Sequence, residues 1–325
     1  MRPLLVGRTY YSESRPDDFQ NKLARLASCL QFMNAGIESA QKNPFERLQG
    51  ILLAPEYYFT PRENEIVLKY AISEEDKRRI EEQLVAYSRK YPKILIMAGS
   101  IAWHRPRNRQ PVAYEAYKES KLARGLQPLS QEDRQVRIES GSNKFEEFTK
   151  TVGEFKIGDK AEPLPFKDDV DKPDIVKNSA YGYLNGERVL KYNKIAMVQE
   201  TLGLESSAVF FPGMLRKPIE EWSPKYNLPG HSLGAPITMG IEICADHPTG
   251  IGRKFGWFGN VDLHVIMSAS CSNEDFGCKP GGFAIHSSTS QVGDGVFQKT
   301  GDDVKRVEDT DVNLDKTNYH VLSWT

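Results

Sequence analysis

Apolar positions in this chain follow two rhythms. Segments 50–55 (GILLAP) and 94–99 (ILIMAG) are wholly apolar over a few residues, the pattern of short strands buried on both faces. Ahead of both, residues 17–41 carry Leu23, Leu26, Leu30 and Met33 at steps of three and four, which predicts an amphipathic helix. A second helix is predicted over 73–90, with Ser73 and Asp76 placed as an N-terminal cap and Ile80, Leu84, Val85 and Tyr87 as its apolar face. With a first strand at 3–8, the order becomes strand, helix, strand, helix, strand, which indicates an α/β class. Pro55 ends the second strand and leaves Glu56 at its C-terminal end.

The same punctuation returns in the second half. Segments 178–184 and 187–192 flank Asn185-Gly186, a strong hairpin signal. Further strands are predicted at 208–211, 237–243 and 261–268, with turns at Pro212-Gly213 and 245–250. No internal repeat is present. Between about 105 and 177 the periodicity fades into charges and prolines, with a short helix suggested at 139–151. The chain therefore reads as one domain, 1–325, interrupted by a long insertion that either forms a subdomain or serves as a lid, interface or mobile segment.

Composition narrows the class. The 325 residues include 39% hydrophobic and 27% charged residues, enough for a large core under a well-solvated surface. Lys and Arg number 43 against 44 Asp and Glu, so no global field recruits nucleic acid or an anionic membrane. No apolar run approaches the roughly 20 residues of a membrane span, and the N-terminal apolar stretch is too short for a signal-peptide core. A cytoplasmic protein acting on a small molecule is the expectation. The four cysteines, Cys29, Cys244, Cys271 and Cys278, form no CxxC pair, which points away from a disulfide scaffold or a zinc ribbon. Cys271, Cys278, His264 and His286 likewise match no common zinc spacing, and no metal is expected.

The segment ITMGIEICADHP at 237–248 is the most informative. A β-rich run leads into Cys244 and then into turn formers, a junction that can expose a thiol above a sheet and aim backbone N–H groups at a substrate oxygen. An isolated strand-end cysteine is more often a buried, inert one. A thiol nucleophile also needs a base and oxyanion donors. Glu56 and Lys194, each just past a predicted strand, are the candidates, although an exposed glutamate and lysine are the ordinary reading of each alone. A lysine neighbour favours thiolate, so Cys244 is expected to outpace the other cysteines toward iodoacetamide. His247 suggests a Cys–His pair, but such partners are normally distant in sequence, and a turn histidine at the pocket is the simpler account.

Taken together, the order and setting of Glu56, Lys194 and Cys244 resemble the nitrilase (carbon-nitrogen hydrolase) superfamily. Asn21 in the first helix, the apolar-Pro-Glu of 51–56, Ala98-Gly99-Ser100, the hairpin leading to Lys194, Phe211-Pro212-Gly213 and the segment 240–246 follow its succession of landmarks. The resemblance implies a four-layer α-β-β-α sandwich, usually assembled as a homo-oligomer. It also implies a Glu-Lys-Cys triad, with Glu56 as general base, Cys244 as nucleophile, and Lys194 with the Ala245 N–H stabilising the oxyanion. It implies cleavage of a small-molecule amide, carbamoyl compound or nitrile through a thioester, without cofactor. A second glutamate would be Glu205, with Glu200 as its competitor, while Tyr57, Tyr58 and His247 would line the substrate. Acyl transfer on the same triad and a non-catalytic binding or regulatory protein of this fold are the alternatives. The insertion, the Tyr57-Tyr58-Phe59 cluster and the tail after Ser270 depart from the family pattern.

Overall fold

A computed structural model describes residues 4–9, 19–40, 49–60, 71–105, 174–195, 208–210, 225–228, 236–254, 256–269, 271, 275–289, 293–307 and 317–323. The first half contributes β1 (Leu4–Thr9), α1 (Phe19–Ala40), β2 (Gly50–Leu53), β3 (Ile72–Ser73), α2 (Glu74–Lys90), β4 (Ile94–Met97) and β5 (Ser100–Arg105). After the insertion come β6 (Asp174–Leu184), β7 (Glu187–Asn193), β8 (Ala208–Phe210), β9 (Lys225–Leu228) and β10 (Ile237–Ile243). Then follow a 3-10 turn at Cys244–Asp246, α3 (Ile251–Lys254), β11 (Val261–Ser268), β12 (Cys278–Ser288), β13 (Gly295–Thr300), β14 (Asp303–Val307) and β15 (Thr317–Leu322).

The strands form two sheets. The first runs β15-β1-β2-β4-β6-β5-β3, with β7 and β8 also paired to β6, and the second runs β14-β13-β12-β11-β10-β9. Each has a parallel heart: β1, β2 and β4 in the first, β10, β11 and β12 in the second. The period of two along a strand explains how the sheets stack. Leu4, Val6, Ile51, Leu53, Leu95 and Met97 meet Met239, Ile241, Ile243, Leu263, Val265 and Ile285 in one core between the sheets. Leu52, Ile94 and Ile96, in the alternate positions, face Leu23, Leu26, Leu30 and Met33 of α1 and Ile80 and Leu84 of α2. On the far side of the second sheet, Trp257, just past α3, packs its ring where a Cβ on Gly240 would stand. The layers thus follow the α-β-β-α order, the last represented among the described residues by α3. None of the described helices is long and apolar enough to cross a membrane.

Local chemistry accounts for the elements. The Ser73 side chain accepts the Asp76 N–H at 3.0 Å, and Glu74, Glu75 and Asp76 complement the positive helix start. Asn185 and Gly186 join β6 to β7 with φ of 51° and 82°, the left-handed pair of a type I′ turn. The tail after Ser270 supplies four ordered strands, and β15 crosses back to pair antiparallel with β1 in the first sheet. Its return is pinned by buried Arg8, whose guanidinium pairs with the Asp294 carboxylate and reaches His320 Nε2 at 2.9 Å. The insertion joins two neighbours, since Arg105 of β5 is paired with Ile175 of β6. The helix suggested at 139–151 lies outside the described residues.

Candidate active site

Parallel strands deliver their C-terminal ends to one edge of the sandwich, and the site residues follow from that. Glu56 comes just after β2 and is fully buried. A buried carboxylate needs partners, and the described residues supply several. Lys194 Nζ donates to Oε1 at 2.8 Å and Asn178 Nδ2 to the same oxygen at 2.9 Å. The Ala269 N–H, beyond the end of β11, donates to Oε2 at 3.1 Å, and the Cys244 thiol hydrogen-bonds the carboxylate as well. Glu56, Lys194 and Cys244, drawn from three distant segments of the chain, therefore share one buried hydrogen-bonded group.

The approach of Glu56 depends on Gly99. Its φ is +75°, and a Cβ there would lie 2.1 Å from the Pro55 carbonyl oxygen, so only glycine lets the β4–β5 link pass beneath the Pro55-Glu56 peptide. Lys194 is placed by β7: its N–H donates to the Asn178 carbonyl at 2.8 Å, and its Nζ stands 5.9 Å from the centre of the Tyr57 ring.

Cys244 occupies the left-handed region, with φ +46°. For a residue with a Cβ this costs about 1–3 kcal/mol, and the surroundings compensate. Asp246 ties the elbow to the lysine-bearing segment: its carboxylate accepts from the Tyr192 hydroxyl at 2.5 Å and from the Ile195 N–H at 3.1 Å, on either side of Lys194. It also accepts from the Ile243 N–H at 3.4 Å. Ala245, buried beside the nucleophile, is the middle residue of the 3-10 turn.

Burial pushes the Cys244 thiol well above its ordinary range, and the negative Glu56 pushes it further, against the opposing pull of Lys194. The expected lysine-favoured thiolate is thus outweighed, because the lysine is already paired with a carboxylate. The thiol rests protonated beside a base.

Two of the expected substrate contacts, Tyr58 and His247, pack and hydrogen-bond elsewhere in the structure. Tyr58 belongs to the core on the helix side of the first sheet, where its ring meets Phe59 edge-on and its hydroxyl donates to the Lys22 carbonyl. His247 is committed to Glu242 on the outer face of the second sheet, its Nδ1 2.7 Å from Oε2. Tyr57, with φ 59°, does stand beside Lys194. Glu205 and its competitor Glu200 lie outside the described residues. Cys271 is only partly exposed, 3.4 Å from His286 Nε2, and burial pushes its thiol to about 12. Asn178, Asp246, Tyr192 and Ala269 were not singled out from sequence. Asp246 alone left a signal, as a turn-forming acid two positions after the cysteine.

No family model matches the chain, and no curated protein sequence matches it. Among solved structures, it is similar to a cysteine-to-alanine variant of the Nesterenkonia AN1 amidase from the nitrilase superfamily. Identity is 13%, coverage 99% of this chain and 91% of that one, and the TM-score 0.49. It is also similar to Saccharomyces cerevisiae Nit3, a member of branch 10 of the nitrilase superfamily, at 13% identity, 99% and 90% coverage and a TM-score of 0.46. A third structure is a variant of the same Nesterenkonia amidase in complex with butyramide, at 13% identity, 99% and 91% coverage and a TM-score of 0.46.

Proposed function

We propose that the protein is a cysteine-dependent carbon-nitrogen hydrolase acting on a small-molecule amide, with carbamoyl compounds and nitriles next in order. The observation that carries this reading is the buried group of Glu56, Lys194 and Cys244, in which a protonated thiol faces a carboxylate braced by an ammonium. Glu56 takes the thiol proton as Cys244 Sγ attacks the carbonyl carbon, so a C–S bond forms and the C=O electrons move to oxygen. Lys194 and the Ala245 N–H stabilise that oxyanion. The C–N bond breaks as Glu56 returns its proton to the departing amine or ammonia, leaving a thioester. Glu56 then takes a proton from water, hydroxide attacks the thioester, and the carboxylic acid leaves as the Cys244 thiol is restored. The protein's own residues supply each of these roles, Glu205 or Glu200 serving as a second glutamate that orients lysine and substrate.

The test is a mass-spectrometric screen of pooled small amides with wild-type protein and the Cys244→Ala variant. The expected result is an acyl adduct on Cys244 of the wild type, ammonia or amine release, and neither in the variant. Turnover that survives Cys244→Ala would overturn the reading. Cytoplasmic location and a homo-oligomeric state go with it, the latter checked by sedimentation.

A further inference from the structure

The second sheet carries a buried polar group that the proposed chemistry does not use. Glu242 and His247 stand two positions before and three after Cys244, and His264 lies on the neighbouring strand β11, its residues in register with β10. All three are buried, at 1%, 7% and 0% exposure. His247 Nδ1 lies 2.7 Å and His264 Nε2 3.0 Å from Glu242 Oε2, while the Gly252 N–H donates to Oε1 at 2.8 Å. The carboxylate therefore joins strand β10, the turn after Cys244, α3 and β11. The Phe276 ring stacks on His247 and the Trp257 ring meets His264 edge-on, closing the group from water.

The tautomer of His264 follows from its other nitrogen. The Gly277 N–H donates to Nδ1 at 2.8 Å, so Nδ1 holds a lone pair and the ring proton is on Nε2, aimed at Glu242. The ligand atoms of the three residues lie within 4.8 Å of one another, a spacing that suits a metal ion. Yet a metal would need the Nε2 lone pair, and that nitrogen carries the proton. The group is a hydrogen-bonded strut. Burial opposes ionisation of Glu242, but the two histidines outweigh it and hold its carboxyl at about 2.

Its placement bears on the nucleophile. Ile241 and Ile243 point into the core between the sheets and Glu242 points away. In a continuing strand Cys244 would share the face of Glu242. The φ of +46° breaks the alternation, and Cys244 packs instead against the core between the sheets. The Glu242–His247 bond spans that reversal. We infer that Glu242 and His247, steadied by His264, form a brace that holds the Cys244 elbow in its left-handed conformation, making them positioning residues for the nucleophile. This rests on the reading of Cys244 as the nucleophile.

Iodoacetamide, itself a small primary amide, is the probe, with labelling of each cysteine in the full-length chain followed by mass spectrometry across pH. In the wild type Cys244 labels fastest, because Glu56 takes its proton as Sγ attacks the probe. In His247→Leu and in the isosteric Glu242→Gln, its rate at neutral pH falls at least tenfold and its pH profile becomes that of an ordinary thiol, while Cys271 changes less than twofold. His247→Gln, whose amide can still donate to Glu242, recovers most of the rate. General loosening would instead speed labelling of buried Cys29 and Cys278, and that outcome overturns the brace. So does a wild-type Cys244 rate in folded His247→Leu and Glu242→Gln. Should His247→Leu not fold, Glu242→Gln decides alone. If wild-type Cys244 is no faster than Cys271, the nucleophile reading fails and the brace with it, a result distinct from a fast wild type with unaffected variants.

Discussion

Glu56 is bound by Lys194, Asn178, Ala269 and Cys244 at once, and that crowding shapes what single substitutions do. Glu56→Gln keeps the volume but removes both the base and the partner of a buried ammonium. Turnover should fall by at least about 100-fold, with kcat rather than KM carrying the loss, measured on whichever amide the screen identifies. Because burial and Glu56 hold the Cys244 thiol up, thiolate should be scarce at rest. The expected outcome is no thiolate ultraviolet absorbance at neutral pH in the difference between wild type and Cys244→Ser. A clear thiolate band at neutral pH would contradict the protonated resting state.

Among the elements, the link from β4 to β5 is where backbone geometry and chemistry meet. Gly99→Ala forces a left-handed alanine and places its Cβ against the Pro55 carbonyl. The expected loss is about 3 kcal/mol or more of stability, summing the left-handed cost and the overpacking, read by denaturant unfolding. The folded fraction should lose activity as Glu56 is displaced. Elements such as this were legible where their pattern was local: α2 with its Ser73 cap, the Asn185-Gly186 turn, and β10 and β11 at their predicted bounds. The positions of Glu56, Lys194 and Cys244 at strand ends were legible too, because Pro55, the hairpin and the turn after 244 punctuate the chain. The partners of Glu56 were not. Asn178 and Ala269 act from a strand and a strand end whose neighbours are set by pairing across the sheets, and pairing leaves no periodic trace. Tyr57 and Tyr58 are adjacent in sequence yet fall in different clusters, Tyr57 with Ala71, Ala102 and Val176 and Tyr58 in the helix-side core, a division that adjacency does not reveal. No strand is predicted from sequence in the tail after Ser270, where β14 is exposed and carries little apolar signal.

At the scale of the whole molecule, buried histidines set the response to acid. Burial holds His286 down to about 3, from an ordinary 6.5, so it is neutral when folded and readily protonated when unfolded. The unfolded state then binds more protons between about pH 6.5 and pH 3, and stability falls as pH drops through that window. His264 is lowered for the same reason. Glu242, held at about 2, adds a further loss below its ordinary 4.5. Thermal unfolding followed from pH 7 to pH 4 should show a loss on the order of 3 kcal/mol, and an unchanged melting temperature would refute the buried neutral histidine. The insertion offers a second test at this scale. Arg105 and Ile175 are paired neighbours, so replacing 108–172 by a short Gly/Ser linker should leave the fold intact. A rim or interface role predicts altered amide preference or oligomer size, and unchanged turnover and sedimentation would eliminate it.

The pairing of β15 with β1 also bears on biosynthesis. Arg8 and His320, joined in the folded molecule, are 312 positions apart. At roughly 5–20 residues per second on the ribosome, the first strand waits about 15–60 s for its partner to be made. Throughout that interval the nascent first sheet presents β1 as an open edge, with Arg8 still lacking His320. Such an edge invites pairing with other chains until β15 emerges and seals it.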